Sequence, residues 1–561
     1  MTLIHKVAIL TFLLLSWFND IFAQLSLRET KWSGGSLLSF TNDSLLVADA
    51  VTKKASGSFI YKQQGDTLLV SKDGKGGNCG TEAATFRIRY SHRGQQVFFT
   101  ALGKSCDATS NVLVSALPFG FVYPEGEAAR DWASLDPTTD SIAGTSLYKA
   151  YGLLKGRVST PVIVAVIDNG VDMAHRDLKA VIWTNAKEIP DNGIDDDHNG
   201  YVDDVHGWNY RGTKDGTIVE NEQAEATHIY SMWKSKYDGV DTTRLNGVEM
   251  ANWHMYTKAK KAYLDKIKES KDSFELKFTY NPNYNSSELI GDDPTDPNGR
   301  YYGSPLIKLS PALSHGTHVA GIIGARSKSG TGIDGIADNV LIMPIVATTA
   351  GGDERDKDVA NAIRYAVDNG ARVINMSFSK PFSAYRSIVD EAIRYAESKN
   401  VLIVHSAGND GDDNDTANHY PVAMDENGQK ATNFISVGWS RPLFNYRLAH
   451  PYSNYGKKNV DLFAPGSDIF STIPGNGYDY KSGSSMSGPV VSGIAALLFS
   501  YFPTLTAAQV KDILLRSSFK PDIIVYRPGS TEKVSFSSLC VSGGIVNAYN
   551  AVVMAAKMMK K

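Results

Sequence analysis

The sequence predicts an α/β fold: a parallel sheet with helices on both faces, preceded by a small all-β domain or prosegment. From about residue 150, continuous apolar runs of strand length alternate with amphipathic helical stretches. Runs that are apolar at every position belong to strands buried on both faces, which is the habit of parallel sheets. Residues 24 to about 120 read differently, as short β-rich runs separated by Gly- and Asp-containing turns. Polar residues close several of the later apolar runs, at the place where open α/β sheets carry their sites.

The elements follow in order. Residues 1–23 read as a secretory signal peptide: one early lysine, the apolar run Val7 to Phe18, then Ala23 before Gln24. That run is too short to span a bilayer comfortably, and no later segment has the length of apolar sequence needed to do so. The mature chain is therefore expected outside any membrane and exported, secreted or periplasmic. In 24–120 the strand-like runs include Ser58 to Lys62, Thr67 to Val70, Thr85 to Tyr90 and Gln96 to Thr100. Residues 121–147 read as a linker.

The α/β domain is expected over 148–555. Val162 to Ile167 ends in Asp168, and Leu341 to Val346 is a second apolar run. A helical stretch over Val359 to Asn369 is closed by Gly370, followed by the strand Val373 to Met376. A helix over Ile388 to Ser398 then leads to the strand Val401 to Val404 and to Ser406-Ala407-Gly408-Asn409. Residues from about 210 to 300 interrupt this alternation with charged, helix-prone sequence. Its Trp233, Trp253 and Tyr263 are expected to pack the insertion down.

Composition sets the outer limits. A net charge of -3 in 561 residues gives no reason to expect nucleic acid or an anionic membrane surface as partner. Of three cysteines, Cys79 and Cys106 lie in one small region and could pair after export, leaving Cys540 expected as a buried thiol.

The chemistry is carried by three small-residue motifs. Gly483-Ser484-Ser485-Met486-Ser487-Gly488-Pro489 ends a turn and opens an apolar helix. It places the Ser485 hydroxyl where free backbone N–H groups and the helix dipole favour a developing negative charge. Asp168 closes a strand within Asp168-Asn169-Gly170, and His315 stands in Ser314-His315-Gly316-Thr317-His318. Singly these read as an N-cap, a strand-end turn and a satisfied histidine. In the order Asp, His, Ser they suggest a nucleophile with a base and an orienting acid.

These residues resemble the subtilisin-like serine proteases. The resemblance runs from about 148 to 555. It rests on Asp168-Asn169-Gly170, His315 to Gly321, Asn375-Met376-Ser377, Ala407-Gly408-Asn409 and Gly483 to Met486 with Pro489. The closing Gly543 to Ala548 is also similar to the family's last segment.

The resemblance implies a subtilisin-like sheet and an exported serine endopeptidase acting on protein or peptide substrates, with no cofactor needed for the chemistry. Ser485 would be the nucleophile, His315 the base and Asp168 its orienter. Asn409 would supply an oxyanion donor. Ser377, Phe378, Ser379 and Gly408 would bind substrate. Leu341 to Val346 and the stretch after Met376 would line a cleft in which an extended peptide pairs by strand addition. A monomer is expected.

The chain departs from the family pattern by small-for-small changes at Ser484 and Ser487-Gly488, which keep the turn permissive, and by larger ones at Asn169 and Ser379-Lys380. Asn169 follows the catalytic aspartate where Ser or Thr is usual, and an amide there can still donate to the carboxylate. Ser379-Lys380 stands where Gly-Gly is common, so these side chains are expected to narrow the specificity pocket or bring charge into it. Two other readings use the same residues: a non-cleaving peptide binder, and an ester-cleaving or peptide-bond-forming enzyme. Residues 24–120 read either as a removable prosegment or as a retained β domain.

A second constellation runs from Asp195 to Asp204. It fits the first half of a calcium loop, with oxygen ligands from Asp195, Asp197 and Asn199, the Tyr201 carbonyl, and Asp203 or Asp204 in place of the missing glutamate. The alternative is a solvated acidic turn. His315 and His318 are not a zinc pair, because no Glu completes an HExxH arrangement.

Overall fold

The computed structural model describes residues 130–559, apart from 214–216, 294–295, 297–298, 308–313, 328–331 and 350, and the backbone of eight strands before them. The signal peptide and the Cys79–Cys106 pairing expected from the sequence lie outside the described residues. The chain falls into two compact units, Met1–Trp132 with Asp136–Ile142, and Ala133–Leu135 with Ala143–Lys561.

In the first unit the strands are β1 (Lys31–Ser33), β2 (Ser36–Phe40), β3 (Ser44–Asp49), β4 (Ala55–Gln64), β5 (Thr67–Lys72), β6 (Ala84–Tyr90), β7 (Gln96–Ala101) and β8 (Phe119–Phe121). Each pairs antiparallel with the next, and β1 pairs with β8 to close the ring. The turn-separated β runs of the sequence correspond to β4 through β7.

The second unit is built on a sheet of seven strands. They are β9 (Val162–Asp168), β10 (Trp208–Asn209), β11 (Val340–Val346), β12 (Val373–Met376), β13 (Leu402–Ser406), β14 (Phe434–Ser440) and β15 (Leu462–Pro465), in the order β10-β11-β9-β12-β13-β14-β15. All neighbours are parallel.

Alternation along each strand assigns two faces. Ala165, Ile167, Ile374 and Met376 join a core with helices Asp356–Asp368 and Arg386–Ser398. On the other face, helix Ser484–Tyr501 packs against β9 and β12 to β15, and helix Ser314–Gly324 against β9 and β11. Both faces are covered, which accounts for strands without a polar side. Gly370, at φ +82°, ends the first of these helices in the left-handed conformation expected of it.

Two expectations are refined. The end of the segment read as a linker is built into the fold: Thr145 and Ser146 are buried, and Asn547 Nδ2 donates to Ser146 Oγ at 2.7 Å. The insertion is built around a pair of packed helices, Glu225–Tyr237 and Gly247–Glu269, followed by the short helices Ser273–Lys277 and Ser286–Ile290. Its core is made of tyrosines rather than tryptophans: Tyr230 stacks on Tyr263 at 4.5 Å, and Tyr237 and Tyr256 are buried between the helices, whereas Trp233 and Trp253 are half-exposed. Cys540 is a buried free thiol, as expected. Among the described residues no helix is long and apolar enough to cross a membrane.

Candidate active site

Three adjacent strands, β9, β12 and β13, end on the same side because they are parallel. Their carboxyl ends deliver Asp168, Ser377 and the 406–409 segment to one cleft. Helix starts deliver the rest: His315 is the second residue of its helix and Ser485 the second of its own. The cleft, about 430 Å³, is bordered by Asp168, His315, Ser485, Asn409, Ser377, Phe378 and Ser379 from the predicted set. Gly408 is not among its lining residues; its carbonyl accepts the Asn454 N–H at 3.1 Å.

Asp168 is buried, and both its oxygens lie 2.9 Å from His315 Nδ1. The N–H at Nδ1 therefore donates to the carboxylate, leaving Nε2 as the basic nitrogen. Burial disfavours a charged imidazole, but the Asp168 charge and hydrogen bond more than offset this, and the His315 pKa is raised above 6.5; Lys481 works against the rise.

Gly316 is what permits the approach. A Cβ on it would meet the Gly170 carbonyl oxygen at 2.2 Å and Asp168 Cβ at 3.1 Å. The Gly316 N–H donates to Asn169 Oδ1 at 3.1 Å, while the Asn169 backbone N–H donates to Asp168 Oδ1 at 2.8 Å. Asn169 thus ties the start of the histidine helix to the strand end.

Ser485 is held by a reciprocal pair. Its Oγ donates to the Ser377 carbonyl at 3.0 Å, and Ser377 Oγ donates to the Ser485 carbonyl at 2.9 Å. The second bond is open because Pro489, four residues on, has no N–H to claim that carbonyl. Asn375 Nδ2 donates to Ser377 Oγ at 2.9 Å, and Ser492 Oγ donates to Asn375 Oδ1 at 2.8 Å. Strand parity puts Asn375 and Ser377 on the face of that helix.

Asn409 Oδ1 accepts from the Ser484 backbone N–H at 2.9 Å and from Ser484 Oγ at 3.0 Å. With its oxygen pinned twice, the amide group keeps its NH₂ for the cleft.

Two expectations about substrate contacts are corrected. Leu341 to Val346 do not line the cleft. They form β11, which is apolar and mostly buried; the border is made by Thr348, Thr349 and Gly352 to Glu354 beyond it. Lys380 brings no charge into the pocket. Its side chain is 2% exposed and its Nζ meets Glu225 at 3.0 Å, Asp356 at 2.9 Å and the Glu354 carbonyl at 2.6 Å. A buried ammonium needs such partners, and they lie on the insertion and on the neighbouring helix. Asp353, Glu354 and Asp410 of the lining escaped sequence reasoning, although their place after an apolar strand end was a usable signal.

The acidic loop is also rearranged. Asp195 accepts the Asn199 and Gly200 N–H groups, Asn199 Oδ1 the Tyr201 N–H, and Asp203 the Asn192 and Gly193 N–H groups. Those oxygens close turns, and both Glu188 oxygens likewise accept the Asp197 and Asp203 N–H groups. Of the predicted carboxylates, Asp197 and Asp204 lie with Glu188 in a group that could hold an ion, one oxygen from each lying within 4.8 Å of the others. Burial pushes the Asp204 carboxyl up to about 6, against hydrogen bonds from Tyr365, Asn199 and Asn185. A second such group is Asp410, Asp412 and His419, whose ring nitrogens already face the two carboxylates at 3.6 and 3.1 Å.

Comparison with known proteins follows the same lines. The model of the subtilase family matches residues 159–538. A thermophilic serine proteinase of Bacillus sp. (strain AK1) is 36% identical over 240 residues, 43% of this chain and 52% of that protein. A cell wall-associated protease of Bacillus subtilis (strain 168) is 37% identical over 204 residues, 36% of this chain and 21% of that protein. A subtilisin of Bacillus pumilus is 36% identical over 204 residues, 36% of this chain and 68% of that protein. The chain spans about half the length of the first of these relatives and about a fifth of the second. The family match takes in both helix starts and all three strand ends that meet at the cleft, and on that extent the chain belongs to the subtilase family.

Proposed function

We propose that the chain is an exported serine endopeptidase that cleaves peptide bonds in proteins through an acyl-enzyme intermediate. The observation that carries this is the Asp168–His315 pair in one cleft with a helix-start serine. Ser485 Oγ leaves its bond to the Ser377 carbonyl and attacks the peptide carbonyl carbon, while His315 Nε2 takes the hydroxyl proton. Negative charge moves to the carbonyl oxygen, where Asn409 Nδ2 and the Ser485 N–H donate. The C–N bond then breaks, the leaving amine takes the proton from His315, and water repeats the sequence on the ester. Asp168 holds the imidazole tautomer and stabilises the imidazolium.

The test is labelling by a fluorophosphonate reagent together with hydrolysis of casein. Labelling is expected in the natural chain and absent from Ser485→Ala. Asn409→Ala is expected to lower kcat by about 10² to 10³ with KM little changed, the magnitude known for one oxyanion donor in a subtilisin. Since His315 must be neutral to act as base, kcat/KM falls as pH drops through its pKa, which lies above 6.5. Asp168→Asn removes the carboxylate that raises this pKa, so the acid limb moves to lower pH while the rate falls by about 10⁴.

Calcium belongs to this reading as a structural ion at the acidic loop, where Glu188, Asp197 and Asp204 bring carboxylate oxygens together. Chelation by EGTA is expected to lower Tm. Without a cation, the raised carboxyl of Asp204 costs stability as pH rises through about 6. The EGTA effect is therefore larger at neutral pH than in acid; equal melting curves at both pH values count against the ion.

A further inference from the structure

The helix that opens at the nucleophile is interrupted at the position that should serve it. An α-helical carbonyl accepts from the N–H four residues on, and for Ser485 that residue is Pro489, which has none. The Ser377 hydroxyl takes its place, donating to the Ser485 carbonyl at 2.9 Å. On the other side of the nucleophile, the Ser484 N–H donates to Asn409 Oδ1 at 2.9 Å. The backbone around Ser485 is thus held from outside its own helix on both sides.

Behind Ser377 stands Asn375, two residues earlier on β12 and so on the same face. Asn375 is fully buried, as is Ser492 further along the serine helix, and neither borders the cleft. Ser492 Oγ donates to Asn375 Oδ1 at 2.8 Å, and Asn375 Nδ2 donates to Ser377 Oγ at 2.9 Å. A hydroxyl has one proton to give. Because Ser377 Oγ receives from Asn375, its own proton is free for the Ser485 carbonyl.

The direction of this chain matters as much as its presence. Turning the Asn375 amide over offers Oδ1 to Ser377, draws the Ser377 proton away and deprives the Ser485 carbonyl of its donor, which Pro489 cannot replace. The observed orientation keeps that carbonyl paired in a largely buried region, where an unmatched polar group is costly. The donors therefore run in one sense, from Ser492 to Asn375 to Ser377 to Ser485.

Resting on the protease reading above, we propose that Asn375 is a positioning residue for the nucleophile: by aiming the Ser377 hydroxyl at the Ser485 carbonyl, it holds Ser485 Oγ and the Ser485 N–H where attack and oxyanion donation need them. Its route to the chemistry runs wholly through Ser377. A misplacement of about 1 Å at a reacting group can cost about 10² in rate, so an amide that touches no substrate can govern turnover.

The test is a double-mutant cycle on the full chain, reading kcat, KM and the rate at which a fluorophosphonate labels Ser485. Ser377→Ala removes the latch and is expected to lower kcat and the labelling rate by about three- to tenfold, the range of one hydrogen bond, with KM little changed. Asn375→Asp keeps the shape of the side chain but, when ionised, only accepts. The Ser377 proton turns to it and a similar loss follows. As pH falls and that carboxyl takes up a proton, it can donate to Ser377 again, so the ratio of variant to natural kcat/KM rises toward acid. A residue that merely packs gives no such slope. In Ser377→Ala, adding Asn375→Asp should lower kcat no further, because Asn375 acts through the missing hydroxyl. Losses that multiply in the double variant overturn the proposal, as does a loss confined to KM or Tm, or a ratio flat with pH. Each of these leaves the serine-enzyme reading intact while the natural chain is labelled; a natural chain that is not labelled overturns both. If Asn375→Asp fails to fold, Ser492→Ala, which frees the Asn375 amide to turn over, takes its place in the cycle with the same two outcomes.

Discussion

Ser485→Ala is expected to lower kcat/KM for peptide hydrolysis by about 10⁶, the loss seen when the nucleophile of a subtilisin is removed. Neighbouring hydroxyls cannot replace it. Ser484 is buried and spends its Oγ on Asn409, and Ser487 is fully buried within the helix. The residual rate comes from the Asn409 amide and from substrate positioning, neither of which the substitution touches. Stability should hardly move. The Ser485 side chain is half-exposed and its hydrogen bond goes to the Ser377 carbonyl, so losing it costs about 1 kcal/mol. The latch of Ser377 on the Ser485 carbonyl uses backbone and survives. Unchanged melting with abolished turnover and labelling separates a chemical role from a structural one. Labelling that persists in the variant would remove Ser485 from the mechanism.

The site was legible in the sequence to the extent that it is built from local signals. Asp168 follows an apolar run, and His315 and Ser485 stand in small-residue helix starts. Each signal is contained within a few residues. What the sequence left hidden depends on contacts between distant segments. The reciprocal bonds of Ser377 and Ser485 join residues 108 apart, and nothing local in either marks the other. The acidic loop shows the same limit: its spacing marked Asp195, Asp197 and a choice of Asp203 or Asp204, but not the carboxylate that the fold brings beside them. Glu188 lies outside the ten-residue pattern and meets Asp197 and Asp204 only in the fold. The parallel sheet itself was plain, because strands buried on both faces have no polar side to confuse the pattern.

Lys380 carries the second large effect, on stability. At the sequence level it stood in a specificity pocket; in the fold it is the cation that joins three parts of the molecule. Its side chain is 2% exposed and meets Glu225 of the insertion, Asp356 of the following helix and the carbonyl of Glu354. The carboxylates are themselves 8% and 4% exposed. Burial disfavours the ammonium, yet the surrounding carboxylates outweigh it and hold the lysine charged, with its pKa raised. Lys380→Met keeps the length of the side chain and removes the charge, leaving Glu225 and Asp356 buried without their cation. Breaking a buried pair in this way costs about 3–5 kcal/mol. Thermal melting should fall by about 3–6 °C, since a unit running from Ala143 to Lys561 unfolds with an entropy of about 0.9 kcal/mol/K.

The functional consequence is more specific. Lys380 follows Ser379 on one border of the cleft and holds Glu354 on the other. Its loss loosens the spacing between the two rims while leaving Asp168, His315 and Ser485 in place. KM is therefore expected to rise more than kcat falls. Adding Glu225→Gln and Asp356→Asn to Lys380→Met removes the orphaned charges and should restore much of the melting temperature, because the penalty lies in unpaired buried carboxylates rather than in the lost ion pair itself. If the triple variant melts no higher than the single one, the network is not electrostatic in origin and Lys380 acts by packing alone.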